Sequence, residues 1–335
     1  MADELRIGLI GAGRHGRYIA PFIREAGNVR LVAATDPSEE ARARAIADCG
    51  FERAYADHRQ MLAEERLDAV IVATPHHLLR ESCLAAVAAG CHVFVEKPMA
   101  INRREGAEVV AAARNARVRL MVGYCQRYTA VRTAMRALVE QGAVGEITAV
   151  TAGKGGEPLS GWLADPKQGG GQMLFLGCHL TDQVLWLVGS PVQRVYAEMT
   201  LRSDTGSDET TACTLRFANG VPAELLVSQR VGAYLDYVEV LGSAGRIRAE
   251  WPTMMLHVHS MALPAYNSPT SIRLLDESHK PMYVAELREF VAAIREGRDP
   301  AITGEDGLRV LAVIDAVFES ARTGRVVDLE TIAEG

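Results

Sequence analysis

The chain has 335 residues, 48% of them hydrophobic and 23% charged, with a formal net charge of −6. That length accommodates two domains with ample core, and the negative balance offers no general attraction for nucleic acid or an anionic membrane. No run approaches the roughly 18 uninterrupted apolar residues of a membrane span, and the start Met1-Ala2-Asp3-Glu4 lacks the pattern of a secretory leader, so a cytoplasmic protein is expected.

The first element is a short apolar strand over 6–10 that runs into Gly11-Ala12-Gly13-Arg14-His15-Gly16. In this spacing Gly11 permits a tight turn, Gly13 lets backbone approach a pyrophosphate, and Gly16 lets the following helix pack on the strand. The first amides of that helix face the phosphates, where the helix dipole favours negative charge. Gly11, Gly13, Arg14, His15 and Gly16 are therefore candidate cofactor contacts. A second apolar strand over 29–35 ends at Asp36, placed to accept hydrogen bonds from adenosine ribose hydroxyls. A carboxylate there repels a ribose phosphate, and Pro37, Ser38, Glu39 and Glu40 intervene before the first arginine, Arg42. NAD is expected over NADP. The plainer role for Asp36, capping the next helix, is compatible with ribose binding.

Helices over 38–49 and 59–63 follow, with a short strand near Ala54-Tyr55 between them. The almost unbroken apolar run 67–73 reads as a strand covered on both faces and ends at Thr74-Pro75. A helix over 79–89 is stopped by Gly90. A strand over 91–95 then runs out into Glu96-Lys97-Pro98, and a helix over 103–113 and a strand over 119–123 complete a six-strand doubly wound pattern.

Beyond Tyr124 the grammar changes. A helix over 129–141, a strand over 147–152, and the cluster Gly169-Gly170-Gly171 before an apolar helix to Val188 come first. Strands over 192–201, 210–217, 221–227, 237–241 and 246–250 are joined in part by Asn219-Gly220 and Ser243-Ala244-Gly245, turns that suit hairpins and an antiparallel sheet. Residues 252–282, rich in Pro and Ser, give no clear periodicity. Helices over 284–296 and 304–323 end the chain. The six cysteines lie far apart with no metal-ligand spacing, and read as buried reduced thiols rather than disulfides or metal ligands.

Glu96-Lys97-Pro98 together with the opening fingerprint resembles the glucose–fructose oxidoreductase / inositol dehydrogenase (Gfo/Idh/MocA) family. So do Gly169-Gly170-Gly171 followed by Gly177-x-His179-x-x-Asp182, Thr303-Gly304-Glu305-Asp306-Gly307, and Ser320-Ala321-Arg322-Thr323-Gly324-Arg325. The likeness covers nearly the whole chain. It implies an α/β protein with an N-terminal Rossmann doubly wound parallel sheet over 1–124, binding NAD. A C-terminal α/β domain over 125–335 would have a large, mainly antiparallel open sheet that serves substrate binding and assembly into a homodimer or homotetramer. It further implies a sugar or polyol substrate between the domains, with Lys97 at the reacting carbinol and His179 as acid/base. A departure accompanies it: many polyol dehydrogenases of the family carry an aspartate four residues before this histidine, and Phe175 stands there. An aromatic wall then replaces a hydroxyl-binding acid, and Asp182 is left as a candidate to orient the His179 ring.

The chemistry suits these residue types. Imidazole titrates near neutrality and moves a hydroxyl proton both ways, while a lysine in a partly desolvated cleft either takes a proton or polarises the oxygen. The plainer alternatives are a surface lysine for Lys97 and a satisfied core histidine for His179. Thr74, Pro75, His77, Glu96 and Gln126 are further cofactor candidates; Arg127, Lys154, Trp162, Phe175 and Asp182 are substrate candidates, and Lys154 and Arg230 could meet an anionic substrate group. Each has a structural alternative: an interdomain hydrogen bond for Gln126, a solvated charge for Lys154 or Arg230, and core coverage for Trp162. Two rival functions stay open: a glycosidase or lyase that uses NAD through transient oxidation, and a non-catalytic regulator that senses NAD or sugar.

Overall fold

The computed structural model describes residues 4–274 and 280–329. The chain forms two compact units, one of residues 1–125 with 280–308 and the other of residues 126–279 with 309–335.

The first unit alternates β1 (Leu5–Ile10), α1 (Arg14–Ile19), β2 (Val29–Thr35), α2 (Glu39–Cys49), β3 (Arg53–Tyr55), α3 (His58–Glu64), β4 (Ala69–Val72), α4 (His76–Ala88), β5 (His92–Glu96), α5 (Arg103–Ala116) and β6 (Leu120–Gly123). The strands lie in the order β3-β2-β1-β4-β5-β6, and every neighbouring pair is parallel. This is the doubly wound arrangement expected from the sequence, with its reversal of strand order between β1 and β4. All four residues of β4 are buried, which is why that strand is apolar without alternation. Local chemistry sets the helix starts. Ser38 Oγ accepts from the Ala41 amide at 3.3 Å to begin α2, and Asn102 Oδ1 accepts from the Glu105 amide at 2.9 Å to begin α5. The helix expected from 79 starts earlier, at His76, because Pro75 in the cap position brings a preset φ of −51° to its first turn.

The second unit opens with α6 (Ala130–Glu140) and β7 (Ile147–Gly155). A π-helical turn, Met173–Gly177, then leads without a break into α7 (Cys178–Val188). There follow β8 (Val192–Leu201), β9 (Asp208–Phe217), β10 (Pro222–Ser228), β11 (Leu235–Gly242), β12 (Gly245–Glu250), β13 (Met255–Ser260) and β14 (Thr270–Arg273). After α8 (Lys280–Glu296) and α9 (Gly304–Thr323), the strand β15 (Val327–Asp328) completes a nine-strand sheet in the order β14-β13-β12-β11-β7-β10-β9-β8-β15. Only β10 and β7 run parallel within it. Along β9 and β10 buried and outward residues alternate, as one covered face and one open face require. The stretch 252–282 is more regular than its composition indicates. It supplies β13 and β14, where Leu256 and Val258 point inward and His257 and His259 outward; residues 275–279 lie outside the described residues. All six cysteines are buried and free of disulfides.

Candidate functional site

At the strand reversal of the first unit, the turn after β1 meets the turn after β4. Gly11 has φ +93°, and a Cβ on it would lie 2.6 Å from the Ala73 carbonyl oxygen. A Cβ on Gly16 would lie 2.1 Å from the Gly11 carbonyl oxygen, so strand, turn and helix close only without side chains at these positions. Gly13 is different: a Cβ there would meet nothing within 4 Å. It occupies the cap position of α1 and offers no side chain to the first amides. Open space above a glycine turn is the cradle that a pyrophosphate fills. Beside it, Thr74 Oγ1 and His77 Nδ1 are shielded from solvent and have no hydrogen-bond partner among the described residues. Buried polar atoms are almost always paired, so these two fit a ligand with polar edges. The residues present therefore fit a dinucleotide.

Asp36 follows β2, and its Oδ1 accepts from the Ser38 amide at 2.9 Å; the cap of α2 is Ser38 itself. The Arg42 guanidinium donates to the Asp36 and Pro37 carbonyl oxygens, both at 2.9 Å, and braces this turn from the helix side. On the other flank, His15 Nε2 lies 3.1 Å from Glu96 Oε1. The histidine is half-exposed and the glutamate buried, and this contact joins the dinucleotide turn to the end of β5. Lys97, the next residue, is partly exposed, and its peptide bond to Pro98 is cis.

Glu286 on α8 was not flagged by sequence. It is fully buried, and neither carboxylate oxygen has a hydrogen-bond partner among the described residues. Burial, reinforced by the charge of Glu96, pushes its carboxyl well above the ordinary range. Burial likewise raises the Tyr283 phenol, one helical turn away on α8, whose ring stands edge-on to His15 with centroids 6.1 Å apart.

In the second unit His179 and Asp182 lie on α7 and are buried, while Phe175 lies in the π-helical turn just before it. Asp182 receives both arms of Arg127, Nε at 2.9 Å and Nη2 at 2.6 Å. The Arg127 guanidinium also faces the Trp186 ring at 5.6 Å from its centroid. Gln126 begins a buried polar network. Its Oε1 accepts from Gln183 Nε2 at 2.7 Å and from Lys154 Nζ at 3.1 Å, and its Nε2 donates to Asp236 Oδ2 at 3.0 Å. Asp236 also receives Lys154 Nζ, and Arg132 at 2.7 Å. Burial lowers the Arg132 guanidinium from its ordinary value, and the charge of Asp236 opposes that shift. The network reaches the histidine's own backbone, for Gln183 Nε2 donates to the His179 carbonyl oxygen at 3.0 Å.

The structure thus gathers His179, Asp182, Arg127, Gln126 and Lys154 around α7. Trp162 sits apart on the exposed turn Gly161–Ala164, and Arg230 is exposed beside Glu209 at 3.4 Å. Arg132, Gln183 and Asp236 were missed. Their single signal in the sequence is a polar residue in an apolar stretch, as with Asp236 before Tyr237-Val238.

Comparison with known proteins agrees with this geometry. Residues 5–124 match the family model described as an oxidoreductase family with an NAD-binding Rossmann fold, and residues 136–329 match the model of that family's C-terminal alpha/beta domain. The chain is 27% identical to the myo-inositol 2-dehydrogenase of Thermotoga maritima, over 98% of this chain and 99% of that protein. It is 29% identical to a D-xylose 1-dehydrogenase (NADP(+)) of Haloferax volcanii, over 97% of this chain and all of that protein. Its fold is shared with levoglucosan dehydrogenase solved with NADH and levoglucosan, at a TM-score of 0.90 and 23% identity over 97% of this chain and 99% of the other. With both halves of its length matched and a dinucleotide cradle at the strand reversal, the chain belongs to the Gfo/Idh/MocA family of NAD-binding oxidoreductases.

Proposed function

We propose that the protein is an NAD-dependent dehydrogenase that reversibly oxidises a hydroxyl group of a sugar, a cyclitol or a related cyclic alcohol. The observation that carries this reading is the 3.1 Å contact between His15 and Glu96, which ties the dinucleotide turn to the residue just before Lys97. The substrate class is supported by the relatives, whose names give ring-bearing sugars and an inositol as substrates.

Bound NAD supplies the hydride acceptor. The work left to the chain is to hold the alcohol and manage one proton. In this reading the Lys97 ammonium donates to the reacting oxygen and favours its alkoxide character, and the His179 imidazole accepts the hydroxyl proton and returns it in the reverse direction. Phe175 forms an apolar wall for the substrate ring, and Arg127, Asp182, Gln126 and Lys154 hold α7 and its surroundings in register. Asp36 directs the preference to NAD. The open face of the nine-strand sheet, with Tyr196 and Leu226 exposed, is read as the surface of self-association into a dimer or tetramer, which sedimentation would test.

The deciding experiment is a panel of sugars and polyols with NAD and NADP, followed by nicotinamide absorbance, repeated with Lys97→Met and His179→Gln. NADH formation on one of these alcohols, lost by more than a hundredfold in both variants, is the expected result. Binding of neither nicotinamide cofactor would overturn the reading. Substrate cleavage without net NADH would replace it with transient oxidation.

A further inference from the structure

The helix that bears His179 starts in an unusual way. Its first amides, those of Gln172 and Met173, both donate to the carboxylate of Asp208, to Oδ1 and Oδ2 respectively, each at 2.7 Å. Asp208 is the first residue of β9, and the chain separation from Gln172 makes this a cap delivered from a distant strand rather than from the preceding loop. The carboxylate is buried, Thr211 Oγ1 supports it at 3.4 Å, and the side chain of Gln229 donates to the Asp208 carbonyl. Gly171 makes room for it. That residue has φ +82°, and a Cβ on it would lie 1.9 Å from Asp208 Oδ1.

An ordinary cap is a Ser, Thr or Asn at the helix's own start, exposed and inexpensive. Here a carboxylate is taken out of water for the same task. Desolvation pushes its pKa up to about 6 against the pull of the two amides. The carboxylate fixes the start of the helix from a separate element of the fold. The capped segment is the π-helical turn with Phe175, which runs directly into the helix with His179. Single π turns inside helices recur at functional sites.

We infer that Asp208 and Gly171 form a positioning device that fixes the start of the π turn and thereby the placement of His179 for proton transfer. Asp208 touches neither substrate nor cofactor in this scheme; it acts through the helix. The inference rests on the reading of His179 as the acid/base.

The test uses the full-length enzyme with its best substrate from the panel and the variants Asp208→Asn, Gly171→Ala, the double variant and His179→Gln. Asp208→Asn keeps the shape and one acceptor, and Gly171→Ala reaches the same contact from the other side, so one variant covers for the other if it does not fold. In each single variant kcat should fall about tenfold or more, KM and the NADH dissociation constant should change less than twofold, and amide exchange at Gln172 and Met173 should quicken. The double variant should be no slower than the worse single one, since both disable one contact. A purely structural part would instead lower the number of NADH-titratable sites and leave kcat per titrated site unchanged. Full kcat in Asp208→Asn with quickened exchange, while His179→Gln is inactive, overturns the inference alone. Full kcat in His179→Gln overturns the functional reading beneath it.

Discussion

Asp182 is held by Arg127 through two parallel hydrogen bonds, at 2.9 and 2.6 Å, in a place where both side chains are nearly sealed from water. The pair joins α7 to Arg127 in the 3-10 turn Cys125–Tyr128 that follows β6. Its fork-on-carboxylate geometry defines a direction as well as a charge balance. The carboxylate one turn beyond His179 is thus a fixed anchor of the helix.

Removing one partner of such a pair leaves a buried charge without its counterion. Arg127→Leu should lower unfolding stability by about 3–5 kcal/mol, and the double variant with Asp182→Leu should recover part of that loss. Urea midpoints at constant slope measure both. Equal stability of Arg127→Leu and wild type would show the pair to be inert.

Cofactor choice should respond to Asp36. Asp36→Ser removes a charged acceptor and the repulsion of a ribose phosphate, and leaves Arg42 braced against the same turn. A hydrogen bond to a charged group contributes about 1.5–3 kcal/mol, so the NAD dissociation constant should rise about tenfold or more while that for NADP falls. Fluorescence titration with both reduced cofactors reads the ratio directly.

Glu286 predicts a stability that depends on pH. Its folded pKa is raised, so the folded state holds a proton that the unfolded chain gives up. The stabilisation is fully present below the ordinary carboxylate range and is lost as pH rises from that range towards the folded value. Glu286→Gln, which mimics the neutral acid, should unfold at a midpoint that varies less with pH than wild type over this interval. Parallel pH dependences of the two proteins would contradict the upward shift.

Asp208 has the same sign in a narrower window. With its pKa raised from 3.8 to about 6, its contribution is complete below the lower value and gone above the upper one. The stability of wild type relative to Asp208→Asn should therefore fall by about 3 kcal/mol across that window. Chemical denaturation at several pH values checks it.

Much of the first unit was legible in the sequence, because a covered parallel sheet demands apolar runs such as Ala69–Val72 and the dinucleotide turn demands glycine at fixed spacing. The strand β13 was less visible: its alternation of Leu256 and Val258 with two histidines is short and lies among prolines and serines. The π-helical turn left no trace, since its residues, Met173 to Gly177, suit an ordinary helix, and the carboxylate that binds the amides of Gln172 and Met173 belongs to Asp208, far along the chain. The network on Asp236 is hidden for the same reason. Periodicity reports which face is buried and is silent about which buried polar groups meet.

Helix α8 and the segment after it complete the sheet that begins the chain: Phe290 packs edge-on to Phe94 at 5.8 Å, Arg119 binds Asp299 at 2.6 Å, and Val122 donates to the Ile302 carbonyl at 3.3 Å. On the ribosome these late residues emerge long after β5 and β6 are made. The nascent nucleotide-binding half must wait with an uncovered apolar flank, so its dependence on chaperones should be set during translation, and a polypeptide released at residue 125 should aggregate rather than bind the dinucleotide.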